Sequence, residues 1–158
     1  MGDNCSQVDK ALLFAIKKHK GQVDKAGAPY FMHPWRVGKD CLETYHDETI
    51  SVAAVLHDTI EDTETTKEEL LDVGFSKEVV EIVDALTMKE GISRQEYLKR
   101  IKEFEPARKV KVMDLRDNMN LSRLYNITEK DVSRWKRYVK EYEYLMGIKE
   151  EENNGQND

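Results

Sequence analysis

The chain is 158 residues long, 39% hydrophobic and 35% charged, which suits one domain with a real core and leaves no room for a second catalytic domain. A net charge of -6 argues against a broad nucleic-acid footprint, which needs clustered Lys and Arg. A phosphorylated small molecule stays acceptable if a metal and a few local basic residues supply the attraction.

The longest apolar run, Ala11 to Ile16, is six residues, far short of a membrane span, and no charged-then-apolar leader precedes it. A cytoplasmic location without membrane association is therefore expected. Cys5 and Cys41 lie far apart without metal spacing and read as reduced thiols. Oligomeric state is not legible in the sequence.

In chain order, Ser6 or Asp9 starts a helix with apolar positions Val8, Leu12, Leu13, Ala15 and Ile16, ending near Gly21. A Gly- and Pro-bearing loop runs from Gly21 to Met32. Pro34 suits the first turn of a second helix through Val37, Leu42 and Tyr45, and Asp47 caps a third carrying Ile50, Val52, Ala53, Val55 and Leu56. Thr66 with Glu69 forms a capping box for a short helix stopped by Gly74. Ser76 starts another through Leu86, and Ser93 with Glu96 caps the next. Pro106 opens a long amphipathic segment with Val110, Met113, Leu115 and Leu121, and Thr128 starts a last helix through Val132, Trp135, Val139, Tyr142 and Leu145. Strand signals hardly occur. The expected fold is all-α, a single multi-helix domain over residues 1–149, with an acidic disordered tail at 150–158.

The densest chemistry is Leu56-His57-Asp58-Thr59-Ile60-Glu61-Asp62-Thr63, an imidazole and three carboxylates directly after the apolar run Val52–Leu56. If this stretch is helical, His57 stacks with Glu61 and Asp58 with Asp62. Carboxylates crowded beside a buried segment carry repulsion and desolvation costs that a divalent ion offsets most simply. His33 and Asp114 are the best further candidates: with His57 and Asp58 they make a mixed nitrogen and oxygen set, better suited to a six-coordinate Mn, Fe or Co ion than to structural zinc, with manganese favoured.

Each residue also has a plainer reading. His33 before Pro34 can be a helix-start residue, Asp114 a polar position on a solvated helix face, and Glu61 with Asp62 an acidic loop. The pair His57-Asp58 ends an apolar face where neither side chain helps packing, so it favours function more than the others do. His19 and His46 read as surface histidines, and Tyr30, Trp35, Tyr125 and Trp135 as core or pocket-wall aromatics.

Gly21-Gln22, Gly27, Pro29-Tyr30 and His33-Pro34, then Leu56 to Thr63, then Val110-Lys111-Val112-Met113-Asp114 with Asn118-Met119, resemble the HD-type hydrolase domain of the RelA/SpoT proteins, in the length of the free-standing small alarmone hydrolases. The resemblance covers roughly residues 8 to 146. It implies an all-helical domain that binds Mn²⁺ and removes the 3′-pyrophosphate of guanosine tetra- and pentaphosphate. It places the metal ligands on His33, His57, Asp58 and Asp114, the acidic catalytic pair on Glu61 and Asp62, and substrate contacts on Lys25 and Asn118. Glu61 is then the acid/base and Asp62 its electrostatic partner.

The chain departs from that family at several points. Asp24 stands where an Arg usually precedes the Lys25 position, Ala28 replaces a common acidic residue, and Leu115-Arg116-Asp117-Asn118 replaces Arg-Leu-His-Asn. These departures keep two alternatives open: an HD phosphohydrolase acting on another phosphorylated nucleotide, and a catalytically silent helical module that binds nucleotide or a protein partner.

Overall fold

Residues 6–148 are described by a computed structural model as nine α-helices and one 3₁₀ turn. The order is α1 (Gln7–Lys18), α2 (Met32–Tyr45), α3 (Glu48–Leu56), α4 (Thr59–Asp62), α5 (Lys67–Val73), α6 (Lys77–Leu86), α7 (Arg94–Glu103), α8 (Glu105–Met119), the 3₁₀ turn Leu121–Arg123, and α9 (Glu129–Met146). Among the described residues there is no strand, only an isolated bridge between Val23 and Pro29. No described helix is long and apolar enough to cross a membrane. The expected acidic tail at 150–158 and Cys5 lie outside the described residues.

Side-chain caps set where most helices begin. Ser6 and Asp9 form a reciprocal box at α1, and Thr128 and Asp131 form another at α9. Asp47, Thr66, Ser76 and Ser93 each accept an amide of the first turn of α3, α5, α6 and α7. The boxes expected at Thr66 and Ser93 form only in that forward direction, because Glu69 is drawn to Lys18 at 2.8 Å and Glu96 to Arg100 at 3.0 Å.

Helix α3 is apolar on every side and buried from Ile50 to Leu56, as a helix without a polar face must be. It packs against α1, α2, α6 and α8. Helix α1 meets it through the small buried residues Ala11 and Ala15, whereas Leu13, one of the apolar positions of that helix, is 65% exposed. A run of six apolar residues cannot all lie on one helical stripe, so Leu13 and Ile16 fall on the outer side. Helices α2 and α3 are packed tightly at Gly38, where a Cβ would sit 2.3 Å from Val55 Cγ2. The Ser51 hydroxyl donates to Gly38 O across the same crossing at 2.9 Å. This contact fixes the start of α2 relative to the end of α3, and α8 packs against both.

Candidate metal centre

Four side chains, from two helices and one interhelical turn, meet at the end of this core. His33 sits in the first turn of α2, His57 and Asp58 form the turn between α3 and α4, and Asp114 lies in the middle of α8. His33 Nε2 is 3.1 Å from Asp114 Oδ1 and 3.6 Å from Asp58 Oδ2, while His57 Nε2 is 3.0 Å from Asp58 Oδ2 and 3.6 Å from Asp114 Oδ1. Ligating atoms of His33, His57 and Asp58 fall within 4.8 Å of one another, and Asp114 joins them from the histidine side.

The donor set fits a divalent cation. His57 Nδ1 donates to Ala54 O at 2.6 Å, which leaves Nε2 as the acceptor nitrogen, and that Nε2 is buried with no hydrogen-bond partner. His33 Nδ1 donates to Asp117 Oδ2 at 2.6 Å, which likewise turns its Nε2 toward the carboxylates. A buried nitrogen without a partner is costly, and two imidazoles with the Asp58 carboxylate close together, and Asp114 beside both imidazoles, are donor types that a divalent metal takes.

Protons take over part of that role when no cation is bound. Burial alone would lower the pKa of His33, but hydrogen bonds to Asp114 and Asp117 and the charges of Asp114 and Asp58 raise it to about 9. His57 is raised too, since the negative charge of Asp58, and then that of Asp114, outweighs its burial. Burial likewise opposes ionisation of Asp58 and Asp114, yet His57 beside Asp58 and Lys111 beside Asp114 hold both carboxyls below the usual range.

Several partners of this cluster were not singled out from sequence. Tyr30, read there only as a core or pocket-wall ring, donates its hydroxyl to Asp58 Oδ2 at 2.6 Å. Lys111 Nζ donates to Asp114 Oδ2 at 2.7 Å, and Asp117 accepts from His33, Arg36 and Arg123. Helical spacing held a usable signal: Lys111 and Asp117 lie three residues either side of Asp114, and Arg36 three after His33.

The remaining sequence-predicted residues surround a cavity of about 420 Å³ that opens from the cluster. Lys25, Glu61, Asp62 and Asn118 all line it. Helices α3 and α4 are separated by the turn His57-Asp58, and no hydrogen bond or ion pair joins His57 to Glu61 among the described residues. Glu61 Oε2 instead accepts the Met88 amide at 2.9 Å. Partial desolvation and the Asp58 charge raise the pKa of Asp62. Asn118 Nδ2 donates to Asp114 Oδ1 at 2.6 Å and to Asp114 O at 3.1 Å, so it braces Asp114 from the cavity wall. Lys25 is exposed at the rim, and its pKa is lowered by partial burial and by Arg134 across the cavity.

Three expectations, and the plainer reading of Asp114, need correction. Asp114 is not on a solvated face: it is 4% exposed, because α8 is covered by α2, α3 and α9. His19 is buried, with its ring 5.0 Å from that of Tyr30 and Nδ1 2.8 Å from Gln22 Oε1. Tyr125 is 99% exposed and lines nothing, because it follows the 3₁₀ turn where the chain crosses the surface. Trp35 is half-buried but outside the cavity, which Tyr30 and Trp135 do line.

The departures from the resembling family also have local accounts. Asp24 Oδ1 accepts the amides of Ala26 and Ala28, both at 2.9 Å, and Gly27 takes φ +80° to close the turn. Position 24 therefore organises the loop that carries Lys25. Leu115 is fully buried and Arg116 is exposed, away from the cavity.

A helical domain with paired histidines and aspartates at this turn defines a class: the chain belongs to the HD domain family, whose profile matches residues 11–121. It is 44% identical over 80 residues to a GTP pyrophosphokinase of Myxococcus xanthus, covering 51% of this chain and 10% of that protein. It is 38% identical over 84 residues to the guanosine-3′,5′-bis(diphosphate) 3′-pyrophosphohydrolase of Aquifex aeolicus, covering 53% of this chain and 12% of that protein. The matched stretch is thus about a tenth of the length of these curated relatives. The solved structure of a metazoan ortholog of SpoT, described as hydrolysing ppGpp, superposes with a TM-score of 0.70 at 23% identity. It covers 89% of this chain and 85% of that one, a likeness of fold.

Proposed function

We propose that the protein is a Mn²⁺-dependent hydrolase that releases the 3′-pyrophosphate of guanosine tetra- or pentaphosphate, giving GDP or GTP. The observation that carries this reading is the convergence of His33, His57, Asp58 and Asp114 beside a cavity whose wall bears Arg36, Arg94, Lys111 and Arg123. A bound divalent cation supplies Lewis acidity there, polarising a phosphoryl oxygen and making a water more acidic.

The chain's own residues account for the rest. Asp58 and Asp114 carry two negative charges, of which Lys111 offsets one, so the loaded site has a net positive charge that attracts a polyphosphate. The basic wall residues hold its anionic groups. Glu61 is fixed at Oε2 by the Met88 amide, and Oε1 makes no hydrogen bond among the described residues. Glu61 acts as acid/base: water adds to phosphorus, the bond from phosphorus to the 3′-oxygen breaks, and the departing oxygen takes a proton as intact pyrophosphate leaves. Asp62, with its raised pKa, is the electrostatic partner of Glu61.

A second reading is hydrolysis of another phosphorylated nucleotide. It is favoured by Asp24, which is committed to the loop turn where the resembling family usually carries an Arg, so one nucleotide contact is missing or reversed. Incubation with Mn²⁺ and a panel of nucleoside mono- and polyphosphates tests both. Release of intact pyrophosphate from guanosine tetraphosphate is expected, and turnover of a different nucleotide with guanosine tetraphosphate untouched would replace the first reading by the second. A metal-loaded protein inert toward the whole panel would leave only a nucleotide-binding module.

A further inference from the structure

Asp117 stands one helical turn after Asp114 on α8 and is 8% exposed. A single buried carboxylate there meets three cationic or donor groups. His33 Nδ1 donates to Oδ2 at 2.6 Å, and Arg36 donates through Nε to Oδ1 at 2.7 Å and through Nη2 to Oδ2 at 3.0 Å. Arg123 adds Nη1 to Oδ1 and Nη2 to Oδ2, both at 3.3 Å, and reaches the Asp117 carbonyl at 3.0 Å. Arg36 and Arg123 line the cavity, and Asp117 itself does not.

The geometry has two consequences. A carboxylate on the far nitrogen of a metal-binding imidazole fixes the tautomer and the ring plane and raises ligand basicity. A two-pronged grip on Arg36 holds the guanidinium in one orientation, so less side-chain freedom is lost when it meets an anion. The resembling family usually carries His at this place, a residue that cannot grip two guanidiniums as an anion.

We propose that Asp117 is the positioning residue of this centre: its one carboxylate orients the metal ligand His33 and, with the same oxygens, aims Arg36 and Arg123 at the anionic part of the substrate. This rests on the metal reading given above. Metal affinity and substrate affinity then share a single determinant that touches neither metal nor substrate.

The test compares the full-length parent with Asp117→Asn and with the double variant Arg36→Gln, Arg123→Gln. By calorimetry, Asp117→Asn binds Mn²⁺ about 10- to 100-fold more weakly. At saturating Mn²⁺ its kcat with guanosine tetraphosphate returns toward the parent while KM remains raised. The double variant keeps Mn²⁺ affinity within about threefold and shows the raised KM. A purely structural Asp117 would instead lower the Tm of Asp117→Asn and leave Mn²⁺ affinity and KM unchanged at 25 °C, which overturns the proposal.

If Asp117→Asn does not fold, imidazole ¹⁵N spectra of the parent loaded with diamagnetic Zn²⁺ decide the His33 half. A proton on His33 Nδ1 with metal at Nε2 supports the proposal, and metal at Nδ1 overturns it. The KM of the double variant then decides the arginine half. If no nucleotide is hydrolysed, the proposed function fails, while calorimetry and ¹⁵N spectra still decide the role of Asp117 toward His33.

Discussion

Replacing Gly38 by Ala puts two effects in direct opposition. Ala is favoured over Gly inside a helix by about 1 kcal/mol, so an open site would be stabilised. Here the added Cβ would lie 2.3 Å from Val55 Cγ2 and 3.2 Å from Ser51 O. Val55 is fully buried and β-branched, so its rotamer is largely fixed by the helix, and Ser51 O is backbone. Relief must come from separating α2 and α3, at an overpacking cost of about 1–3 kcal/mol. The hydrogen bond from Ser51 to Gly38 O weakens as they part, for about another 1 kcal/mol. Overpacking therefore wins, and Gly38→Ala should lose about 2 kcal/mol, or about 4–8 °C in Tm for a chain of this size. Calorimetric melting of the metal-free protein measures it. Since the crossing sets His33 against His57, Mn²⁺ affinity should fall as well. Adding Val55→Ala should recover part of the Gly38→Ala loss, with the double variant less destabilised than the sum of the singles. An unchanged or higher Tm for Gly38→Ala would refute the close-packed crossing.

Glu61→Gln should lower kcat about 10²- to 10⁴-fold and leave Mn²⁺ affinity nearly unaltered, as pyrophosphate release and calorimetry would show; full activity would remove Glu61 from the chemistry. His33 is charged up to about pH 9 in the metal-free protein, so Mn²⁺ must displace a proton below that pH. Apparent affinity should rise with pH toward 9, and titrations in buffers of different ionisation enthalpy should show proton release at pH 7.5. The same shift acts on folding in the other direction: the folded pKa lies above the unfolded value of about 6.5, so the stabilisation is complete below about pH 6.5 and is lost as pH rises through 9. The Tm of the metal-free protein should fall across that window, and a flat profile would contradict the buried carboxylates around His33.

Helix starts were legible because their signals are local: Ser6, Asp47, Ser76 and Thr128 each cap the helix they announce. The all-α class followed from the same signals with the apolar run of α3. Burial was less legible, since periodicity names a stripe but not its neighbour. Leu13 lies outside although it belongs to an apolar run, and Asp114 lies inside although periodicity alone offers it a solvated face, because α3 takes only the Ala11 and Ala15 side of α1 while α2, α3, α6, α7 and α9 all pack on α8. The pair His57-Asp58 stood out because it ends an apolar face, whereas Asp117, Arg36 and Arg123 look like ordinary helix-surface charges until the long-range approach of α2 and α8 brings them together. Asp24 shows the same limit, for its loop turn depends on the closure between Gln22 and Tyr30.

Anomalous diffraction at the manganese edge, from crystals of the protein soaked in Mn²⁺, reaches the central claim most directly. One peak within bonding distance of His33 Nε2, His57 Nε2 and the carboxylates of Asp58 and Asp114 is the expected result. A well-ordered crystal with no peak among those four side chains, or with its strongest peak elsewhere, would contradict it.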